Sequence, residues 1–317
     1  MIIKMGYVSH SISLWDASPA RTLTFTRYNQ LSDVERAEKL LEVTRKNLES
    51  TIRMVHYNIA HNIPLYRMSS SLVPLATHPE VRWDFVAPFR EEWRKLGDLV
   101  KAGDLRTSFH PSQFTLFTSP HEDVTDNAVI DMEYHYQMLE AMGLEDEAVI
   151  NIHIGGAYGN KEETLPRFHE NLRKLPPAIK KRMTLENDDK TYNSDETLAV
   201  CEKEGIPFVF DIHHHLANRG EKSLEELIPA CFATWKNIGL RPKIHISSPK
   251  SDKAYRSHSD FVDPDYIKPL LDVLKKIGQD ADFMIEAKLK DQAVLKLAED
   301  LNKVRGIKRV GGTIIEL

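Results

Sequence analysis

A chain of 317 residues with 41% apolar content can bury one large core, and no Pro/Gly/Ser-rich linker divides it, so residues 1–317 are expected to form a single domain. The 42 Lys and Arg against 47 Asp and Glu give a formal charge of −5, which lacks the basic footprint usual in nucleic-acid binders but leaves room for bound cations and local basic loops. Cys201 and Cys231 lie in helix-like segments and make no disulfide framework, MIIKMGYVSH is no signal peptide, and no run reaches the roughly 20 apolar residues of a membrane span, so a soluble cytoplasmic protein is expected.

In chain order, short apolar runs begin near Lys4 (KMGYVS), Leu65 (LYRMSS), Arg106 (RTSFH), Ala148 (AVINIHI), Met183 (MTLEN), Pro207 (PFVFDIH), Lys243 (KIHIS) and Asp282 (DFMIEAK). Stretches with helical periodicity separate them, such as Val34 to Ala60 and Trp83 to Lys101. Ser32 and Asp33 are candidate caps for the first helix and Asp126 for the third. Repeated strand–helix units without a doubly wound signature predict an α/β chain folded as a (β/α)8, or TIM, barrel. The loops after the first, second, third and seventh strands are long, the first running through Ser13 to Arg21, and long loops at that face usually build a substrate site.

Histidines and acids end these runs one after another: His110, His153, Glu186, Asp211, His245 and Glu286. In such a barrel those positions converge on one mouth. Glu186, Asp211, His245 and Glu286 can serve one ion, and His110 and His153 a second ion together with Glu186. His214 and His258 can serve a third. Mixed imidazole and carboxylate ligands suit manganese, zinc or iron better than calcium. In the triplet His213-His214-His215, alternation would give His213 the same face as Asp211, whereas a strand ending at Asp211 would let His214 turn inward; spacing alone leaves both open.

Lys243 stands two residues before His245, on the same strand face. An ammonium beside cations is disfavoured. Either the side chain reaches solvent from the strand's lower end, or carbon dioxide converts it to a carbamate. The loop after the seventh strand gathers Ser247, Ser248, Lys250, Lys253, Tyr255 and Arg256, which can hold a phosphate backbone, and Gln113-Phe114 can wedge into a base stack.

The motifs SFHPSQF (Ser108 to Phe114), INIHIGG (Ile150 to Gly156), LENDD (Leu185 to Asp189), FDIHHH (Phe210 to His215), KIHISSP (Lys243 to Pro249), RSHSD (Arg256 to Asp260) and MIEAK (Met284 to Lys288) together resemble the UV damage endonuclease family over almost the whole chain. That family is similar in fold and metal plan to endonuclease IV. The resemblance implies incision of duplex DNA immediately 5′ of UV photoproducts, leaving a 3′-hydroxyl, by a monomer with three divalent ions, manganese foremost. It implies the ligand role for His110, His153, Glu186, Asp211, His214, His245, His258 and Glu286. It further implies an active-site histidine at His78, a modified lysine at Lys243, a probing pair at Gln113 and Phe114, and an aromatic residue beside the site at Tyr7. The family's pair often reads Gln-Tyr, so Phe114 lacks a hydroxyl, and His10 and Ser11 stand where an asparagine often follows the first strand. Three other readings use the same residues: a sugar isomerase or epimerase needing one metal, a non-catalytic protein that binds metal or damaged DNA, and a plain abasic-site endonuclease, abasic sites being also a further substrate of the first reading.

Overall fold

Each of the apolar runs is short and flanked by turn residues, and each forms a buried strand. A computed structural model describes residues 1–317. The strands are β1 (Ile2–Val8), β2 (Leu65–Arg67), β3 (Arg106–Phe109), β4 (Val149–His153), β5 (Met183–Glu186), β6 (Phe208–Asp211), β7 (Lys243–Ile246) and β8 (Ala281–Ile285). They pair in parallel in chain order, and β1 meets both β2 and β8, which closes the barrel. Helices follow the strands: α1 (Phe25–Asn29), α2 (Asp33–Ala60), α3 (Arg90–Ala102), α4 (Glu122–Met142), α5 (Lys161–Asn171), α6 (Pro177–Arg182), α7 (Ser194–Glu204), α8 (Ile212–Ala217), α9 (Leu224–Thr234), α10 (Pro264–Ile277) and α11 (Lys290–Leu301). None of them is long and apolar enough to cross a membrane. Cys201 and Cys231 are buried and unpaired on α7 and α9.

Side chains alternate across each strand. One set packs against the helices in a cluster of 67 buried residues that includes Ile3, Met5, Tyr7, Phe109 and Phe210. The other set faces the barrel's interior, where Val8, Leu65 and Met284 form their own small cluster. Gly6 is fixed at the closing seam: a Cβ there would lie 1.9 Å from the Leu65 carbonyl oxygen, so only glycine lets β1 approach β2 this closely.

Local chemistry sets the helix starts. Ser32 caps α2 in a reciprocal capping box with Glu35. The helix expected from Trp83 begins later, because Asp84 instead accepts the Val86 and Ala87 amides in a turn that precedes α3. Asp126 is no cap: α4 already begins at Glu122, and Asp126 lies within it, paired with Lys174 at 2.9 Å. Beyond the eight strands, β9 (Lys308–Gly311) and β10 (Ile314–Glu316) form a hairpin. Its second strand pairs antiparallel with the start of β1 (Ile2 with Glu316), covering an edge that β2 is too short to reach.

Candidate metal centre

Glu186 ends β5 and stands at the centre of the barrel's mouth. Three groups of side chains each bring their ligand atoms within 4.8 Å of one another, and all three contain it: His110–His153–Glu186, Glu186–Asp211–His214 and Glu186–His245–Glu286. Its two oxygens divide between them. Oε2 faces His110 Nε2 at 3.2 Å, His245 Nδ1 at 3.0 Å and His153 Nε2 at 4.0 Å, while Oε1 faces His214 Nδ1 at 3.4 Å. A carboxylate so placed can bridge cations.

The surroundings favour cations. Burial opposes the charge on Glu186, yet His245, His153 and the hydrogen bonds from His110 and His214 outweigh it and hold the carboxyl well below the ordinary carboxylate range. Burial likewise opposes a charge on His245, but Glu186 and Glu286 push it up to about 9. Glu286 is held well below its usual range because Arg67 and His245 overcome its burial. The pocket therefore draws positive charge toward its carboxylates. Asp211 Oδ2 is buried without any hydrogen-bond partner and belongs to one of the three groups. A buried carboxylate oxygen left bare costs stability unless a cation meets it, so the donor set fits divalent ions.

The triplet is resolved by Asp211. Its side chain accepts the His214 amide at 2.8 Å and caps α8, so β6 ends there and the next residues turn as a helix. His214 points inward. His213 instead bonds Ser247 and the Tyr255 carbonyl, and His215 bonds Ser194. His258 Nδ1 lies 4.0 Å from Glu286 Oε2, outside the three groups but at their edge. It is held by a small hairpin in which Pro249 bridges His258 and the Lys250 amide donates to the Ser257 carbonyl at 2.7 Å.

Three neighbours escaped the sequence reading. Asn151 donates to Glu186 Oε2, Arg67 forms an ion pair with Glu286, and Asn187 exchanges hydrogen bonds with the Asp211 backbone while its carbonyl accepts from His214 Nδ1. Asn151 stands two residues before His153 and Arg67 two after Leu65, so strand alternation was the signal available for both.

Lys243 lies fully inside the barrel, 1% exposed, and Nζ has no hydrogen-bond partner. It does not reach solvent from the strand's lower end. Burial first, then Arg106 and Arg67, push the amine well below its ordinary range, against the opposing pull of Asp282. His78 stacks on Phe25 at 3.9 Å between ring centroids and joins none of the three ligand groups. Tyr7 corrects the expectation of an aromatic residue beside the site. It is wholly buried on the helix side of β1, in the main core with its ring 5.6 Å from Tyr66, because the neighbouring Gly6 and Val8 take the interior face.

A cleft of about 460 Å³ opens beside three of the ligands, between the loops after β3, β4 and β5; it is lined by His110, His153, His214, Gln113, Phe114 and Asp189 among others. Gly155, with φ of +117°, turns the chain at its edge, where a Cβ would lie 2.6 Å from Thr118 Oγ1. Phe114 is 73% exposed. Arg256 reaches Asp189 at 3.2 Å, and Lys250 is exposed on the loop after β7. A second cavity, of about 390 Å³, opens at the opposite end of the barrel, but Lys4, Arg106 and Arg241 there are each paired with an aspartate and no ligand group touches it.

Known proteins align with this arrangement. The family model described as UV-endonuclease UvdE matches residues 3–317. A UV DNA damage endonuclease of Bacillus pumilus (strain SAFR-032) is 62% identical over 317 residues, covering 100% of this chain and 99% of that one. A UV DNA damage endonuclease of Bacillus cereus (strain 03BB102) is 58% identical over 316 residues, covering 100% of both. The crystal structure of SacUVDE superposes with a TM-score of 0.84 at 31% identity, covering 95% of this chain and 100% of that one. An L-ribulose 3-epimerase structure reaches a TM-score of 0.53 at 14% identity over 75% of this chain and 76% of that one, a likeness of fold alone.

Proposed function

The chain belongs to the UV-endonuclease UvdE family, and from that premise we propose that it incises the DNA backbone immediately 5′ of UV photoproducts, acting as a monomer with three divalent cations, manganese foremost. The observation that carries the reading is the sharing of Glu186 by three ligand groups, of which His110, His153 and His214 line an open cleft. The eight ligands are His110, His153, Glu186, Asp211, His214, His245, His258 and Glu286. When bound, the cations supply an activated water near neutral pH and offset the charge that develops on the phosphate and on the leaving 3′-oxygen. A sugar isomerase would leave His110, His153, His214 and His258 without a purpose, and the endonuclease family replaces that alternative.

The chain's own residues supply position. Arg67 and Asn151 hold Glu286 and Glu186 in place. Lys250 and Arg256 contact the phosphate backbone, His78 serves as a further active-site histidine, and Gln113 and Phe114 fill the gap left when the damaged dinucleotide swings out. A photoproduct pairs and stacks badly, so its extrusion costs less than that of intact bases, which gives selectivity without a base code. The test is a duplex carrying one defined photoproduct. One strand should be cut at the 5′ side of the lesion, chelation should stop the cutting, and manganese should restore it. Cutting that survives chelation would remove the cations from the reaction, and cutting confined to abasic sites would replace the photoproduct reading.

Lys243 is proposed to carry a carbamate. The neutral amine adds carbon dioxide, forming the N–C bond and releasing one proton, and so gains oxygens that accept from donors it now lacks partners among: Arg106 Nε and Nη2 are also buried and unbonded. With labelled bicarbonate, carbon NMR should show a carbamate resonance that Lys243→Met lacks. A spectrum identical for the two proteins would leave Lys243 as a plain amine.

A further inference from the structure

Most of the chain's aromatic rings are buried or half-buried. The exceptions are Trp15, 90% exposed, Phe114, 73%, and Tyr158, 47%. All three stand in loops that follow barrel strands β1, β3 and β4, on the mouth side. A large apolar side chain left in water is informative where it is held there rather than left loose. Trp15 is held. Arg53 of α2 donates to the carbonyls of Trp15 at 2.9 Å and Asp16 at 3.2 Å. Arg21 pairs with the Asp16 carboxylate at 2.7 Å and is itself tied to α2 through Ser50, while its backbone bonds Asn47 in both directions. Asp291 at the start of α11 accepts the Ile12 amide at 2.6 Å, and Ser11 and Ala17 are buried on either side. The backbone beneath the indole is pinned at both ends while the ring touches solvent.

The ligand-bearing strands run from β3 round to β8, and β1 and β2 carry none. Phe114 therefore rises at one side of that gap and Trp15 at the other. Arg53 bonds only carbonyls and has no carboxylate partner, which leaves one guanidinium beside Trp15 to meet a phosphate. We propose that Trp15 is a second aromatic contact to DNA, stacking on a nucleobase that the lesion has freed from its duplex neighbours. The inference rests on the endonuclease reading and adds to it a contact remote from the cations. An indole suits the task because every base presents a π face, so the contact is strong without being sequence-specific.

Trp15 reports on itself. Trp93 and Trp235 are buried, and Trp83 is half-buried with its Nε1 bonded to the Pro74 carbonyl. Rapid mixing of the metal-loaded protein with a duplex carrying one photoproduct should quench the exposed tryptophan emission before any strand is cut, and Trp15→Phe should lose that quench. Affinity is read from the anisotropy of a labelled duplex over the same interval, with circular dichroism confirming that the variants fold. Trp15→Ala should need about tenfold more protein to saturate damaged duplex, Trp15→Phe less than about threefold more, and undamaged duplex should be bound nearly as by the wild type. Normal binding and incision without the quench, or equal losses on both duplexes, would overturn the stacking contact alone. Emission that follows protein concentration instead of DNA would assign Trp15 to contact with a second copy, which also overturns it. Absence of incision by the wild type would overturn the endonuclease reading on which the contact depends.

Discussion

Glu186→Gln is expected to abolish incision at photoproducts, by about 10³-fold or more, while the barrel stays folded. The change keeps the shape of the side chain and removes the one negative charge common to the three ligand groups. An amide can still accept from His110 or His214 through its oxygen, but its nitrogen cannot face a cation. Loss of several kcal/mol of charge stabilisation in the reaction corresponds to that factor, at about 1.4 kcal/mol per tenfold. The variant should also bind manganese more weakly, a property read by calorimetry without any DNA. Circular dichroism and a thermal melt should separate this from unfolding. Full incision by Glu186→Gln would take the shared carboxylate, and with it the clustered cations, out of the mechanism.

Much of this arrangement was legible in the sequence for one physical reason: in a parallel barrel a polar residue ending an apolar run has a single place to be. His110, His153, Glu186, Asp211, His245 and Glu286 follow that rule and meet at the mouth. What escaped follows equally physical lines. His214 hinged on whether Asp211 continues a strand or caps a helix, a competition that spacing does not decide. Tyr7 has the residue type of a ring beside the site but not the strand parity: Gly6 faces inward, so Tyr7 cannot. The β9–β10 hairpin depends on pairing with β1 across nearly the full chain length, which local periodicity does not report. Arg67 ends a three-residue strand that carries no acid or histidine to mark it, although a buried Glu286 needs such a partner. Trp15 lies within the long first loop, and only its 90% exposure above a hydrogen-bonded backbone distinguishes a presented side chain from an ordinary loop residue.

Replacing Gln113 and Phe114 together by alanine is expected to weaken binding to damaged duplex about tenfold or more, and binding to undamaged duplex far less. The pair sits three and four residues beyond His110, on the rim of the cleft above the ligands. Its loop is pinned at both ends: the His110 carbonyl accepts from Ser70 at 2.7 Å, and Thr115 bonds both Asp131 and the Ser112 carbonyl. Phe114 nonetheless stays 73% exposed, a ring presented to solvent from an anchored loop. Stacking of one ring on a base is worth about 1–3 kcal/mol, which gives the expected tenfold. That gain is available only where a base has left its place, and a photoproduct opens such a gap at less cost than intact DNA. The phenyl ring supplies the stack without the hydroxyl of a tyrosine, so Phe114→Tyr should bind damaged duplex within about threefold of the wild type if stacking dominates. Anisotropy titrations of labelled duplexes, matched except for one photoproduct, measure both losses directly. Equal losses on the two duplexes would reduce the pair to scaffold for the loop that carries His110.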